Sequence, residues 1–265
     1  MKRYTVIARP DDISSYIRAN ILDELGQAGL EYDEKNPEVI FVVGGDGTFI
    51  HAVHTAMKTM GIKLKDTCFY GIHTGTLGFY SDFKDTEYRE YMDTFLNGTY
   101  KEISYPLLQV TYHDHHGEYK HHAINEVRVE NAAKTQRIDV SFNGKYFETF
   151  RGTGLNVCTQ LGSSAYNRSL GGAIMQEGLD FIELTEIAGI HHVKFRSLNS
   201  PLILKSDTLI EFRSESFEHA VLGCDSSIYD LTDVNSLRIR ITKSTAVRTL
   251  RGKNVSYFER LRSLF

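Results

Sequence analysis

Apolar and polar positions follow two different rhythms along this chain. Tyr4–Ala8 is a short apolar run and predicts a strand. Ile13, Tyr16, Ile17, Ile21 and Leu25 then recur at helical spacing. Val39–Val43 is an unbroken apolar run of the kind buried in a parallel sheet. It leads into Gly44-Gly45-Asp46-Gly47-Thr48 and a helix predicted from Phe49 to Met60. Cys68–His73 predicts another buried strand, and Tyr88, Tyr91 and Phe95 mark a further helix. Alternating strands and helices predict an α/β unit with a parallel sheet over residues 1–100.

From about Glu102 the rhythm changes. Leu107–Tyr112, Asn125–Val129, Ile138–Phe142, Tyr146–Phe150 and Leu209–Phe212 are β-branched or aromatic and partly alternating. Asn143-Gly144 stands between two of these runs, a strong short hairpin signal. Residues 101–245 therefore read as mainly antiparallel β, with the boundary near Asn97–Tyr100. Tyr257, Phe258, Leu261 and Phe265, among Arg260 and Arg262, predict a short terminal helix or arm packed back on the body. A membrane-binding amphipathic helix is the alternative there.

Composition narrows the classes. With 265 residues, 41% of them hydrophobic and 24% charged, the chain reads as an ordinary globular protein with a sizeable core. A formal net charge of −4 supplies no basic field for nucleic acid. The N-terminal stretch lacks the apolar core of a secretory signal, and no segment approaches the roughly 18 apolar residues of a membrane span. Cys68, Cys158 and Cys224 are odd in number and widely spaced, so reduced, buried thiols and a cytoplasmic location are expected.

The glycine-rich loop carries the candidate chemistry. Glycines after an apolar strand let the backbone approach a ligand, and the helix N-terminus behind them offers amide groups suited to phosphate. Asp46 is the informative residue, because a carboxylate does not belong in a simple phosphate cradle. It either accepts the proton of an attacking hydroxyl, holds a hydroxyl pair or helps hold a metal. The structural alternative is an N-cap aspartate in a tight turn. No lysine follows the glycines, so the P-loop pattern is excluded. His113, His115, His116, His121 and His122, with His191 and His192 further on, read as solvated turns in preference to a metal site. His73, at the end of a buried strand, is either ligand-contacting or structural. Lys243, Arg248, Arg251 and Lys253 form a basic stretch, read as a solvated strand edge.

Gly44-Gly45-Asp46-Gly47-Thr48 resembles the signature shared by NAD kinases, diacylglycerol and sphingosine kinases and phosphofructokinases. His73-Thr74-Gly75-Thr76-Leu77-Gly78-Phe79, Asn125-Glu126 and Thr159–Asn167 resemble, in order, segments of the NAD kinase family, in particular the short enzymes of low-GC Gram-positive bacteria. The resemblance runs over essentially the whole chain. It implies an α/β N-terminal domain, an all-β C-terminal NAD-binding domain, and a final segment, 246–265, returning to the first. It implies NAD and ATP as substrates, Mg2+ or another divalent metal carried with ATP and without dedicated protein ligands, and a homotetramer.

Carried over by position, Asp46 is the base for the ribose 2′-hydroxyl, beside Gly45. Gly47, Phe79 and Tyr80 line the first nucleoside pocket, and Asn125 and Glu126 hold ribose hydroxyls. Ser164, Ala165 and Tyr166 meet an adenine and its surroundings, Ser169 meets the nicotinamide end or its equivalent, and Asp225 closes the site. Arg151 precedes two glycines and either meets phosphate or forms a salt bridge within the fold. Two departures stand out. Arg151-Gly152-Thr153-Gly154 replaces the family's Arg-Gly-Asp-Gly, so Thr153 keeps hydrogen bonding at a nucleotide-facing position without the charge. Gln160-Leu161 replaces a proline and a small polar residue, which removes a donor. A lipid kinase is disfavoured by the His73–Phe79 and Thr159–Asn167 segments. A non-catalytic dinucleotide sensor is disfavoured by the intact Asp46, Asn125 and Glu126.

Overall fold

A computed structural model describes the chain except Leu77, residues 192–195 and Phe265, with the main chain alone at Ile62, Lys63 and Lys243. The readings above that concern Leu77, His192, Phe265 and the Lys243 side chain lie outside the described residues. In chain order the elements are β1 (Arg3–Ala8), α1 (Asp12–Gln27), β2 (Glu31–Tyr32), β3 (Val39–Val43), α2 (Asp46–Met60), β4 (Cys68–His73), β5 (Phe83–Lys84), α3 (Tyr88–Leu96), β6 (Lys101–Asp114) and β7 (Gly117–Ala123). They continue with β8 (Glu126–Glu130), β9 (Gln136–Phe142), β10 (Lys145–Thr159), α4 (Tyr166–Ser169), β11 (Phe181–Gly189), β12 (Leu202–Lys205), β13 (Ile210–Arg213), β14 (Val221–Cys224), β15 (Ser227–Asp230), β16 (Ser236–Arg251) and α5 (Tyr257–Arg262). The chain forms two compact units, one of Met1–Tyr105 with Ser244–Phe265, the other of Pro106–Lys243.

In the first unit the strands run parallel in the order β2-β1-β3-β4, and Arg248 and Thr249 at the end of β16 pair parallel with Cys68 and Phe69. β3 and β4 are buried at every residue, which is why their sequences are unbroken apolar runs. Tyr4, Val6, Phe41, Val43, Tyr70 and Ile72 build one core with Ile17, Ile21 and Leu25 of α1 and Tyr91, Met92 and Phe95 of α3. Phe49 of α2 packs on Phe69, ring centroids 5.5 Å apart. The helix read from Ile13, Tyr16, Ile17, Ile21 and Leu25 forms as α1, but Ile13 and Tyr16 are not on its buried face. Both are exposed, and the buried stripe of α1 is Ser14, Ile17, Ile21 and Leu25, started by the Asp11 cap on the Ser14 N–H.

The second unit is antiparallel in all its described pairings. β10 is its spine, pairing with β9 over Lys145–Gly152, with β8 over Gly154–Cys158 and with β11 over Gly152–Thr159. Asn143 and Gly144 both take positive φ, 52° and 77°, as a two-residue hairpin between β9 and β10 demands. Val127, Val129, Ile138, Val140, Phe150 and Val157 are among its fully buried core residues.

Two sequence readings change. His121 and His122 lie on β7, not in the hairpin tip, and His121 stacks on Tyr229 at 3.7 Å. Arg248, Arg251 and Lys253 of the basic stretch form ion pairs and not a solvated edge. Arg248 forks onto Glu102 at 2.6 and 2.7 Å, Lys253 reaches Glu87 and Glu90 at 2.7 Å each, and Arg251 is buried against Asp82. The terminal helix forms as expected as α5, grouped with the first unit, with Arg260 its buried residue and Phe258 exposed. All three cysteines are free and buried, and among the described residues no helix is long and apolar enough to cross a membrane.

Candidate active site

α2 begins at Asp46, not at Phe49. Gly45 is the N-cap, and its carbonyl accepts from the N–H groups of Thr48 (3.0 Å) and Phe49 (3.1 Å). Low helix propensity at Gly47 hides this first turn from a reading of periodicity. Asp46 is therefore not an N-cap. Its carboxylate reaches the other way, where the Phe79 N–H donates to Oδ2 at 3.0 Å and the Tyr80 N–H to Oδ1 at 3.3 Å. Gly78 makes that approach possible, because a Cβ there would run into the Asp46 carboxylate.

The rings of Phe79 and Tyr80 are buried, Tyr80 stacked on Phe49 at 4.7 Å and Phe79 edge-on to Tyr257 at 6.1 Å. What they offer Asp46 is main chain. The His73 ring lies against Gly45, so that a Cβ there would meet Nε2 at 3.4 Å. Burial holds this imidazole below its usual pKa, the Asp46 and Asp85 charges working against that effect. A cavity of about 480 Å³ opens along Ala8, Arg9, Gly45, Gly47, Thr48 and His51. The loop glycines, amides at a helix start and two cationic or titratable side chains suit it to phosphate groups.

In the second unit Asn125, Glu126 and Asp225 are joined directly. The buried Asp225 carboxylate accepts from the N–H groups of Ile124 (2.9 Å), Asn125 (2.8 Å) and Glu126 (3.1 Å). Asp225 itself sits at φ 51°, a left-handed position that aspartate tolerates better than most residues. Burial and then the Asp225 charge push the Glu126 carboxyl up to about 7, Arg128 opposing. Near neutrality Glu126 thus exists as both donor and acceptor, suited to hydroxyl pairs.

The Asn125 carbonyl accepts from Thr159 N–H at 2.8 Å, and Gly162 packs so closely on it that a Cβ would collide. This fixes the start of the 159–169 loop beside Asn125. The Ser164 hydroxyl donates to the Leu161 carbonyl at 3.1 Å, Ala165 precedes α4, and the Arg128 guanidinium lies 5.4 Å from the Tyr166 ring centroid. Ser169 ends α4 exposed. Arg151 and Thr153 are half-buried on β10. At 3.3 Å per residue Thr153 is about 20 Å along the strand from Thr159.

Two residues given no role in the sequence reading hold the loop. Asn167 is fully buried, donates to Glu183 Oε2 at 2.8 Å and accepts from the Thr185 hydroxyl at 2.6 Å. Glu183 also accepts from the Ala173 N–H at 2.8 Å, and burial raises its pKa. A carboxylate inside the apolar run of β11 was the available signal.

Comparison with known proteins gives the family and the fold. A family model for the ATP-NAD kinase N-terminal domain matches residues 5–100. NAD kinase 1 of Oceanobacillus iheyensis is 34% identical over 265 residues, covering 99% of this chain and 97% of that protein. NAD kinase 1 of Bacillus subtilis is 34% identical over 267 residues, covering 99% and 98%. Among solved structures, yeast NADH kinase complexed with NADH is similar with a TM-score of 0.76 at 16% identity, covering 100% of this chain and 86% of that one. An NAD kinase from Archaeoglobus fulgidus in complex with ATP gives 0.73 at 22%, covering 98% and 99%. These two likenesses establish the fold, an α/β region followed by an all-β one, while the full-length relatives establish kinship. The chain belongs to the NAD kinase family of phosphotransferases.

Proposed function

We infer that the chain transfers a phosphoryl group from ATP, or another phosphate donor, to the 2′-hydroxyl of the adenosine ribose of NAD, giving NADP. The observation that carries this reading is Asp46. This half-buried residue has its carboxylate fixed by two amides at the start of α2, and its chain neighbours Gly45 and Gly47 line the cavity of the glycine loop. Each oxygen spends one lone-pair direction on an N–H and keeps others for a hydroxyl. As the ribose O2′ forms its bond to phosphorus and the bond to the leaving ADP oxygen breaks, the O2′ proton passes to Asp46. Positioning and charge stabilisation supply the rest.

In this reading the Gly45 and Gly47 main chain faces phosphate, and Phe79 and Tyr80 shape the first nucleoside pocket. Asn125 and Glu126 take ribose hydroxyls, while Asp225 acts by holding their amides. Ser164, Ala165, Tyr166 and Ser169 serve the adenine and the far end of the dinucleotide, and Arg151 and Thr153 a nucleotide contact on β10. Among the described residues no group of three or more His, Cys, Asp or Glu is gathered for a metal. That fits Mg2+ held mainly by substrate phosphates, with Asp46 as the carboxylate at hand. Bound there, the ion would neutralise charge on the transferred group. A homotetramer in the cytoplasm completes the proposal, supported by the same family membership.

The test is NADP formation from NAD with ATP and magnesium, read by an NADP-specific dehydrogenase, beside Asp46→Asn. Wild type should turn over and the variant should lose about 100-fold or more in kcat while still binding NAD. A wild type that binds NAD but is silent with ATP and with polyphosphate would replace this reading by a dinucleotide sensor, with Thr153 and Leu161 as its cause.

A further inference from the structure

The two amides that hold Asp46 belong to peptide groups whose carbonyl ends are also occupied. The peptide between Gly78 and Phe79 donates its N–H to Asp46 Oδ2, and its carbonyl faces Arg260 Nη1 at 3.5 Å. The peptide between Phe79 and Tyr80 donates its N–H to Oδ1, and its carbonyl accepts from Arg251 Nη2 at 2.7 Å and Arg260 Nη1 at 3.3 Å. Arg260 Nη1 also donates to the Ser81 carbonyl at 2.8 Å. Both guanidinium groups pair with Asp82, Arg251 through Nη1 at 3.0 Å and Arg260 through Nη2, and the Tyr105 hydroxyl accepts from Arg251 at 2.6 Å. Arg251, Arg260 and Asp82 are 6%, 4% and 4% exposed, so these bonds act without water as a competitor.

We propose that Arg260 and Arg251, locked by Asp82, are positioning residues for Asp46. They act through the 78–80 main chain and not on substrate. A cation at a carbonyl oxygen fixes the peptide plane and polarises the N–H at its other end. Two successive peptides treated in this way aim two N–H groups at one carboxylate. Arg260 is brought there by α5, a six-residue helix closed by the Ser256–Glu259 capping box. The last turn of the chain thereby sets the direction of the carboxylate at the first turn of α2. The inference rests on Asp46 as the base of the reaction.

The experiment is a double-mutant cycle of Arg260→Lys with Asp46→Asn in the full chain, with kcat and KM for NAD and ATP and a thermal melt for each variant. Lysine keeps the charge beside Asp82 but lacks the planar fork that reaches Asp82 and the carbonyls together. Arg260→Lys should lower kcat by on the order of 10- to 100-fold, with KM for both substrates within about twofold. In the Asp46→Asn background the same change should lower kcat by less than about twofold, since the group it orients is gone. An equal loss in both backgrounds, a change carried by KM, or an unchanged kcat overturns the proposal. A near wild-type kcat for Asp46→Asn alone overturns instead the reading of Asp46 as base. Should Arg260→Lys give no cooperative melt, Arg251→Lys carries the same cycle, because it holds the same Phe79 carbonyl from β16.

Discussion

Asp46 in the first unit and Asp225 in the second are both held by main-chain N–H groups, yet the two environments leave them different things to do. Asp225 is 6% exposed and accepts three amides from consecutive residues, so its lone pairs are largely spent inside the protein. Asp46 accepts two amides, one per oxygen, and is only half-buried, between two glycines that line a cavity. The same interaction thus makes a structural bolt in one place and, in the other, a directed carboxylate with room to serve as the base we propose. The number of amides spent and the access left decide which.

The sharpest way to break this comparison is stability. Asp225→Ala would orphan three buried N–H groups at roughly 1–3 kcal/mol each, so a loss of about 3 kcal/mol or more is expected from urea denaturation. Asp46→Ala, whose amides are nearer solvent, should cost clearly less. Equal losses would show that both carboxylates are bolts.

Gly78→Ala comes next. Its methyl would push the end of the Asp46 side chain, which can swing away at little cost to folding but not to aim. A kcat lowered by about tenfold or more, with little change in melting temperature, is expected. A variant with normal turnover would mean that the direction of Asp46 does not matter.

The effect spread most thinly, a gradual change over a pH range, is a pH slope. The Glu126 carboxyl is raised from 4.5 to about 7. Below the lower value it is protonated in folded and unfolded chains alike. Between the two values the unfolded chain gives up the proton first, so stability falls as pH rises, by at most about 1.4 kcal/mol per pH unit. Glu126→Gln should remove that fall between pH about 4.5 and 7. Parallel stability–pH curves for wild type and variant would place the cause in another group.

Much of the fold was legible in the residues. Val39–Val43 and Cys68–His73 become strands with the predicted bounds, because a strand buried on both faces must be apolar throughout. Asn143-Gly144 turns as expected, because few other pairs accept positive φ at both positions. Helix faces were less legible. Ile13 and Tyr16 match the period of α1 but point to solvent, since periodicity alone cannot say where an apolar stripe begins. Charge partners were not legible at all. Arg251 reads as part of a solvated strand edge, Arg260 only as a cation among the terminal aromatics, and Glu183 attracts no reading at all.

What the sequence determined by itself is therefore local: the strands, the glycine turn with its single carboxylate, and motif segments specific enough to point to a family. Conformational preference and burial pattern act within a few residues, so they can be read within a few residues. The tertiary structure decided which groups meet. Asp46 and Phe79 are 33 residues apart in the chain, Asp225 and Asn125 are 100 apart, and Arg260 and Asp82 are 178 apart. Hydrogen bonds of about 3 Å across such separations follow from strand order and from the close approach that Gly78 and Gly162 permit, neither of which is a property of any single segment.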